Sequence, residues 1–243
     1  MRTCNICGRG LIIEGVPGAG KSTAVRLMRD MPRFRSAAQP SVFSYSEEIT
    51  QRVLEKAWNT VGLTTSRNRE HLLRILRPLE QINDLIAARG WANTPRHGFL
   101  YLLERFHLTH AAYYPHVSWR DVEDIDARLC ALGARMVIVT LSADGMRRRI
   151  LAERNPGWRR YVSRYGSTNE EIMRHYRKRQ ETLLSLAERS HLQTLVVNGE
   201  RDPRDVAGRI LDFWIPPDRQ GSGGEAPACF DSDPCVGKGD SCE

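Results

Sequence analysis

Residues 15 to 22 read GVPGAGKS and follow the apolar run at residues 11–13. They match G-x-x-x-x-G-K-[ST] in full, with a predicted strand before the loop and helical periodicity after it, over 22–30. Gly15, Gly18 and Gly20 carry no Cβ, so the backbone can take positive φ and aim successive N–H groups at one anion. The positive end of the following helix attracts the same charge. Gly15, Gly18, Ala19, Gly20, Lys21, Ser22 and Thr23 are therefore expected to bind a nucleoside triphosphate. Lys21 would reach its β- and γ-phosphates, and the Ser22 hydroxyl would join a magnesium shell. Such a loop works only as a strand-to-helix turn, which commits the chain to an α/β architecture.

The remaining sequence fits that commitment. Short apolar runs at 11–13, 42–45, 99–103, 136–141 and 194–197 read as buried parallel strands. Helical patterns at 22–30, 49–58, 70–89, 119–132, 143–153, 169–189 and 205–214 fill the intervals. Strands alternating with helices predict right-handed crossovers and a three-layer, doubly wound, five-stranded parallel sheet. Ligands of such sheets lie at the carboxyl ends of the strands. Residues 1–9 read as an N-terminal extension, 10–216 as one phosphate-loop domain, and 217–243 as a disordered Gly/Ser-rich tail. Within the domain, 154–169 (RNPGWRRYVSRYGSTN) breaks two helices and sets arginines among aromatics, as a basic lid would. No apolar run reaches 18 residues and no secretory leader is read at the N-terminus, so no membrane is expected and the cytoplasm is the simplest location.

Charge narrows the partners. The formal net charge is +7, but the tail from residue 217 carries −4, which leaves +11 on the body. A basic body suits nucleic acid, and it equally suits an enzyme that handles polyphosphates. Of the six cysteines, Cys130 falls in a helical pattern and reads as a small buried hydrophobe. Cys4 and Cys7 form half of a zinc-knuckle spacing without its second half, so a solvated terminus is expected there rather than a metal site.

No N-K-x-D follows a later strand, which excludes a guanine-specific GTPase, and the chain is short for a motor ATPase. At the end of the third predicted strand stands FLYLLERFHLTHAAYY. Glu104-Arg105-Phe106, Thr109 and Ala112-Tyr113 resemble the D-R-Y-x-x-S-x-x-A-Y signature of thymidylate kinases. The acid-arginine pair is also similar to the E-R-S motif of deoxynucleoside kinases, as EGVPGAGKST is to their phosphate loops. The resemblance spans roughly residues 10 to 215 and implies ATP and Mg²⁺ as cofactors. It implies that Glu104 helps to organise the metal and that Arg105 holds the acceptor. It departs at Pro17, where thymidylate kinases carry a charged residue, and Arg74 and Arg77 match the family's substrate contacts only loosely.

Further candidates follow from the same comparison. Glu47 and Glu48 stand where deoxynucleoside kinases place a carboxylate that accepts a hydroxyl proton, although acids also favour a helix's first turn. Arg149 and Arg154 resemble the arginines that open the lid and stabilise the transferring phosphoryl group. The turn at Asn198 and Gly199 lies where related kinases bind adenine through backbone groups. His107 and His110, three residues apart, read as packing rather than as metal ligands, and Phe106 and Tyr113 read as core with base stacking as the second option. The leading expectation is an ATP- and Mg²⁺-dependent kinase of a nucleoside monophosphate or nucleoside. A phosphate-loop kinase acting on the hydroxyl of another small molecule, or an ATP-binding regulator, are the alternatives. The expected partner is a small-molecule phosphoryl acceptor rather than nucleic acid, and a homodimer is compatible with the sequence.

Overall fold

The computed structural model of the chain describes residues 7–37, 41–54, 63–91, 98–153 and 155–216. Strands β1 (Gly8–Glu14), β2 (Val42–Tyr45), β3 (Phe99–Glu104), β4 (Ala134–Thr140) and β5 (Gln193–Asn198) form one sheet in the order β2-β3-β1-β4-β5. Every pairing is parallel. From the central β1 the chain builds first toward β2 and β3, then crosses back to add β4 and β5. The winding thus reverses around β1, and the carboxyl ends of β1, β3 and β4 open together where ligands bind such sheets.

Strand alternation sorts the apolar residues into two cores, one on each face. Leu11, Ile13, Leu100, Leu102, Val137 and Val139 pack with Met28, Ile210 and Trp214, from helices Lys21–Asp30 and Pro203–Trp214. Ile12, Tyr101, Leu103 and Met136 face the other way, against Leu72, Leu76, Leu79, Leu108 and Leu129. These come from helices Thr65–Ala88, His107–Tyr113 and Glu123–Ala131. Each fully buried leucine of this kind contributes about 1.5–3 kcal/mol relative to exposure.

Several boundaries differ from the sequence expectation for identifiable reasons. β1 begins at Gly8, inside the stretch expected as an extension. A Cβ on Gly10 would stand 2.1 Å from the Tyr101 ring, and one on Gly8 2.9 Å from the Phe99 ring, so these glycines seat aromatic side chains. Helix Thr65–Ala88 starts earlier than expected because Thr64 caps it, accepting from the Arg67 N–H at 3.2 Å, and it continues past Pro78. The expected helix over 119–132 is split: a tight turn at Trp119–Asp121, closed by a Ser118/Asp121 capping box, precedes Glu123–Ala131. The one over 143–153 is helical only over Ala143–Met146, and then widens at Arg147–Ala152 into i→i+5 bonding such as Glu153 N–H to Arg148 O, 3.0 Å. Single widened turns of this type often accompany functional sites. Of the expected helix at 49–58, the described part forms another widened turn, Glu48–Arg52.

Cys7 is buried, and its N–H donates to Asn83 Oδ1 at 3.0 Å; Cys4 and the tail cysteines lie outside the described residues. Among the described residues no group of three or more His, Cys, Asp or Glu is arranged to hold a metal, and no helix is long and apolar enough to cross a membrane.

Both histidines after β3 are fully buried and hydrogen-bonded within the protein. His107 Nε2 lies 2.8 Å from Asp126 Oδ1, and the Asp126 carboxylate also accepts from Ser190 Oγ and the His191 N–H. The His110 ring donates through Nε2 to Thr50 O at 2.9 Å, with Nδ1 2.6 Å from the Asn68 carboxamide. Burial, helped by His71 and His107 nearby, pushes His110 down to about 3, and burial lowers His71 as well. The unfolded chain takes protons near the ordinary 6.5 that the folded chain refuses, so stability is complete above that value and falls as pH drops below it. The urea midpoint is expected to decline between pH 7 and pH 5, and His110→Gln to flatten the decline. An unchanged slope in a folded variant would locate the pH dependence elsewhere.

Candidate active site

The loop after β1 depends on its glycines. Gly15, Gly18 and Gly20 have φ of 143°, 80° and 99°, values that L side chains disfavour. At Gly15 a Cβ would also meet Val139 O at 2.4 Å. Helix Lys21–Asp30 begins directly after left-handed Gly20, with no side-chain cap and no acid in its first turn. No side chain of the helix start caps its first N–H groups, the arrangement found where helix N-termini meet anions.

Lys21 is buried beneath this loop, and its ammonium donates to Gly15 O at 3.0 Å and Val16 O at 3.1 Å. Burial, reinforced by the Arg105 charge, lowers its pKa to about 7 against the opposing pull of Glu47, Glu104 and Glu14. An anionic group placed beside the ammonium would favour its charged form. The next side chain, Ser22, donates through Oγ to Glu104 Oε2 at 2.9 Å.

Parallel register explains that contact. Glu104, the last residue of β3, lies beside Ile13 of β1, so the carboxylate emerges next to the loop that follows β1. The next residue, Arg105, turns away: its φ is 52°, and its N–H donates to Ile13 O at 2.9 Å. Its Nη1 donates to Gln51 Oε1 at 3.3 Å, and its Nε lies 2.8 Å from Glu47 Oε2, close enough to pair but out of line for a hydrogen bond. Burial alone would raise the Glu47 carboxyl, but Arg105, Lys21 and Arg52 outweigh it and hold the group below the usual carboxylate range. Thr50, on the same turn as Gln51, donates through its hydroxyl to Glu104 O and so ties that turn to the β3 exit.

Two clefts share this framework. One, of about 360 Å³, is bordered by Gly18, Gly20, Thr23, Arg149, Gly199 and Pro203. There Arg149 Nη1 donates to Gly18 O at 3.3 Å, and a Cβ on Gly199 would strike Ala19 O at 2.1 Å. The other, of about 300 Å³, lies between Lys21, Ser22, Glu47, Gln51, Arg105 and the lid aromatics Trp158 and Tyr161. In the stretch expected to act as a lid, helix Pro156–Val162 is capped by Asn155, and Trp158 Nε1 donates to Ile150 O at 2.8 Å. Tyr113 is buried with the Arg179 guanidinium 3.9 Å from its ring centre and that of Arg105 at 5.6 Å. Phe106 belongs to the core.

Of the residues singled out in the sequence, the structure gathers Lys21, Ser22, Glu104, Arg105, Glu47 and Arg149 around the loop. Arg154 lies outside the described residues. Glu48 is exposed and pairs with Arg52, Arg147 pairs with Glu170, and Arg159 and Arg160 face solvent. Arg74 and Arg77 sit on the helix surface beside Glu70 at 3.2 and 3.8 Å and border neither cleft. Sequence reading overlooked Gln51, Trp158, Tyr161 and Arg179. The three-residue spacing of Trp158 and Tyr161 on one helix face was a usable signal, whereas nothing in the sequence marks Gln51.

No protein-family model matches this chain, and no curated protein matches it. Among solved structures the chain is similar to that of the Bacillus subtilis YorR protein in complex with phosphorylated GDP. The two are 14% identical with a TM-score of 0.49, over 84% of this chain and 94% of that one.

Proposed function

We propose that the chain is a phosphotransferase that passes the γ-phosphoryl group of ATP, with Mg²⁺, to a nucleoside monophosphate or nucleoside, like the thymidylate and deoxynucleoside kinases its motifs resemble. The observation that carries this reading is a shared wall: Gly18, Gly20 and Thr23 border both clefts. A phosphate chain laid on the loop from the first cleft would end at the mouth of the second. Hydrolysis would need only a water there; a second cleft walled by Arg105, Glu47 and aromatics suits an acceptor molecule.

Ser22 Oγ and Glu104 Oε2 place two hard oxygen atoms together at the head of the loop, a donor set that fits magnesium. Held there by Ser22 and Glu104, magnesium would supply positive charge that offsets the charge of the phosphates. The protein's own groups do the rest. Lys21 exchanges its two carbonyl partners for phosphate oxygens, and the loop N–H groups hold the chain. Arg149, with Arg154 from the lid, offsets charge that spreads over the transferring group. Arg105 holds the acceptor, while the lid aromatics exclude water.

Glu47 favours a second reading within the same chemistry. Its carboxylate lines the acceptor cleft and is held ionised, so it can take a proton from a hydroxyl, whether on a nucleoside or on a non-nucleotide small molecule. ADP release from Mg-ATP, measured across nucleosides, nucleoside monophosphates and hydroxylated small molecules, tests both readings. A nucleoside or its monophosphate is expected to raise turnover about tenfold or more over ATP alone, since positioning the acceptor supplies most of the rate. Stimulation by non-nucleotide hydroxyls alone would move the function to the second reading. Tight ATP binding without stimulation by any acceptor would overturn both.

A further inference from the structure

Glu14 ends β1 immediately before the phosphate loop and is completely buried. An ionised carboxylate is costly to bury unless donors surround it. Here the donors come from one place, the exit of the neighbouring strand. Glu14 Oε1 accepts from the Phe106 N–H at 3.0 Å and the Thr109 N–H at 3.3 Å, and Oε2 accepts from the Thr109 hydroxyl. Together with the Arg105 N–H bond to Ile13 O, the end of β1 grips the chain on both sides of the Arg105 peptide units.

Arg105 is the one non-glycine residue with positive φ among the described residues. A left-handed backbone at such a residue costs about 1–3 kcal/mol and persists only where surrounding contacts impose it. The conformation separates two adjacent side chains: Glu104 goes to Ser22, at the donor end, and Arg105 goes to Glu47 and Gln51, in the second cleft.

We propose that Glu14 is a positioning residue: by clamping the Phe106 and Thr109 N–H groups, its carboxylate holds Arg105 in the left-handed turn that aims its guanidinium into the acceptor cleft. Glu14 touches no substrate in this scheme and acts chiefly through Arg105, its pull on the Lys21 ammonium being the smallest of those from the three nearby carboxylates. The catalytic side of the inference rests on the phosphotransferase reading, but the conformational side does not.

The variant to make is Glu14→Gln, which keeps the shape and removes the charge and one acceptor oxygen. Its test pairs an NMR measurement without ligand with steady-state kinetics. The Arg105 Nε–Hε resonance, assigned by its loss in Arg105→Lys, is expected to shift or broaden in a variant whose circular dichroism matches wild type. Nucleotide affinity by calorimetry is expected to hold within about twofold, while the acceptor KM rises about tenfold, as misplacing one binding group does. If Glu14→Gln fails to fold, Thr109→Val, which removes one of the three bonds and leaves the charge, is expected to move the same resonance by less. A folded variant with the wild-type Arg105 resonance overturns the proposal, and so does equal weakening of nucleotide and acceptor. If the wild-type protein phosphorylates no acceptor, the phosphotransferase reading fails, and the resonance still decides the role of Glu14.

Discussion

Lys21→Ala is expected to reduce phosphoryl transfer by on the order of 10³-fold, the scale of losing a preorganised charge at the transferring group. The nucleotide-free variant should nevertheless be at least as stable as wild type. The reason is the cost of the buried ammonium, whose pKa is pushed from 10.5 to about 7 chiefly by burial. Between those values the unfolded chain holds a proton that the folded chain gives up. Wild-type stability from this group therefore rises as pH climbs from about 7 toward 10.5, and the penalty is complete below about 7. The alanine variant lacks that dependence. Turnover and thermal midpoints from pH 7 to 10, with and without Mg-ATP, check both halves. Wild-type turnover would remove Lys21 from the mechanism, and a large loss of nucleotide-free stability would contradict the burial argument.

Glu104→Ala should produce a loss of similar size, about 10³-fold, because removing the carboxylate deletes one of the two oxygen atoms proposed to hold magnesium and the partner that orients the Ser22 hydroxyl. Nucleotide binding should survive, since the loop N–H groups and Lys21 remain. That separates the two variants: calorimetry with a non-hydrolysable ATP analogue should show near-normal affinity in Glu104→Ala and clear weakening in Lys21→Ala. Wild-type turnover in Glu104→Ala, or loss of nucleotide binding in proportion to activity, would remove the assigned role.

The loop after β1 was legible in the sequence because its conformation is local. Gly15, Gly18, Gly20, Lys21 and Ser22 are close in the chain, and the backbone path of one loop requires the three glycines. Strand identities were legible for a similar reason: period-two and continuous apolar runs reflect which faces are buried, and all five runs became strands of one parallel sheet. The acceptor half was not readable in this way. Glu47 and Gln51, Arg105, and Tyr161 come from three separate places in the sequence and meet only at the second cleft. The helix expected over 143–153 also misled, because nothing in its composition announces the widened turn at Arg147–Ala152 that precedes the lid.

Glu47 shows what tertiary structure adds to a short motif. From SYSEE alone, two neighbouring acids were equally able to cap a helix or to face a substrate. In the fold, Glu48 pairs with Arg52 at the surface, while Glu47 is drawn under Arg105 and loses its proton readily. A similar choice was made for the arginines, which the sequence offers in excess: Arg149 reaches the loop, Arg147 pairs with Glu170, and Arg179 sits over the Tyr113 ring.

By itself, the amino-acid sequence determined that a strand must turn through a glycine loop into a helix and that the surrounding strands run parallel. The burial it predicts holds for β1, β3 and β4, whereas the edge strands β2 and β5 are partly exposed because each has a neighbour on one side only. Tertiary structure decided which acid meets Ser22, how Arg105 is turned away from Glu104, and which side chains wall the second cleft. The division has a physical cause. Backbone conformation and burial periodicity are properties of neighbouring residues, whereas the partner of a buried charge is set by strand order and register, and those bring together residues that are far apart along the chain.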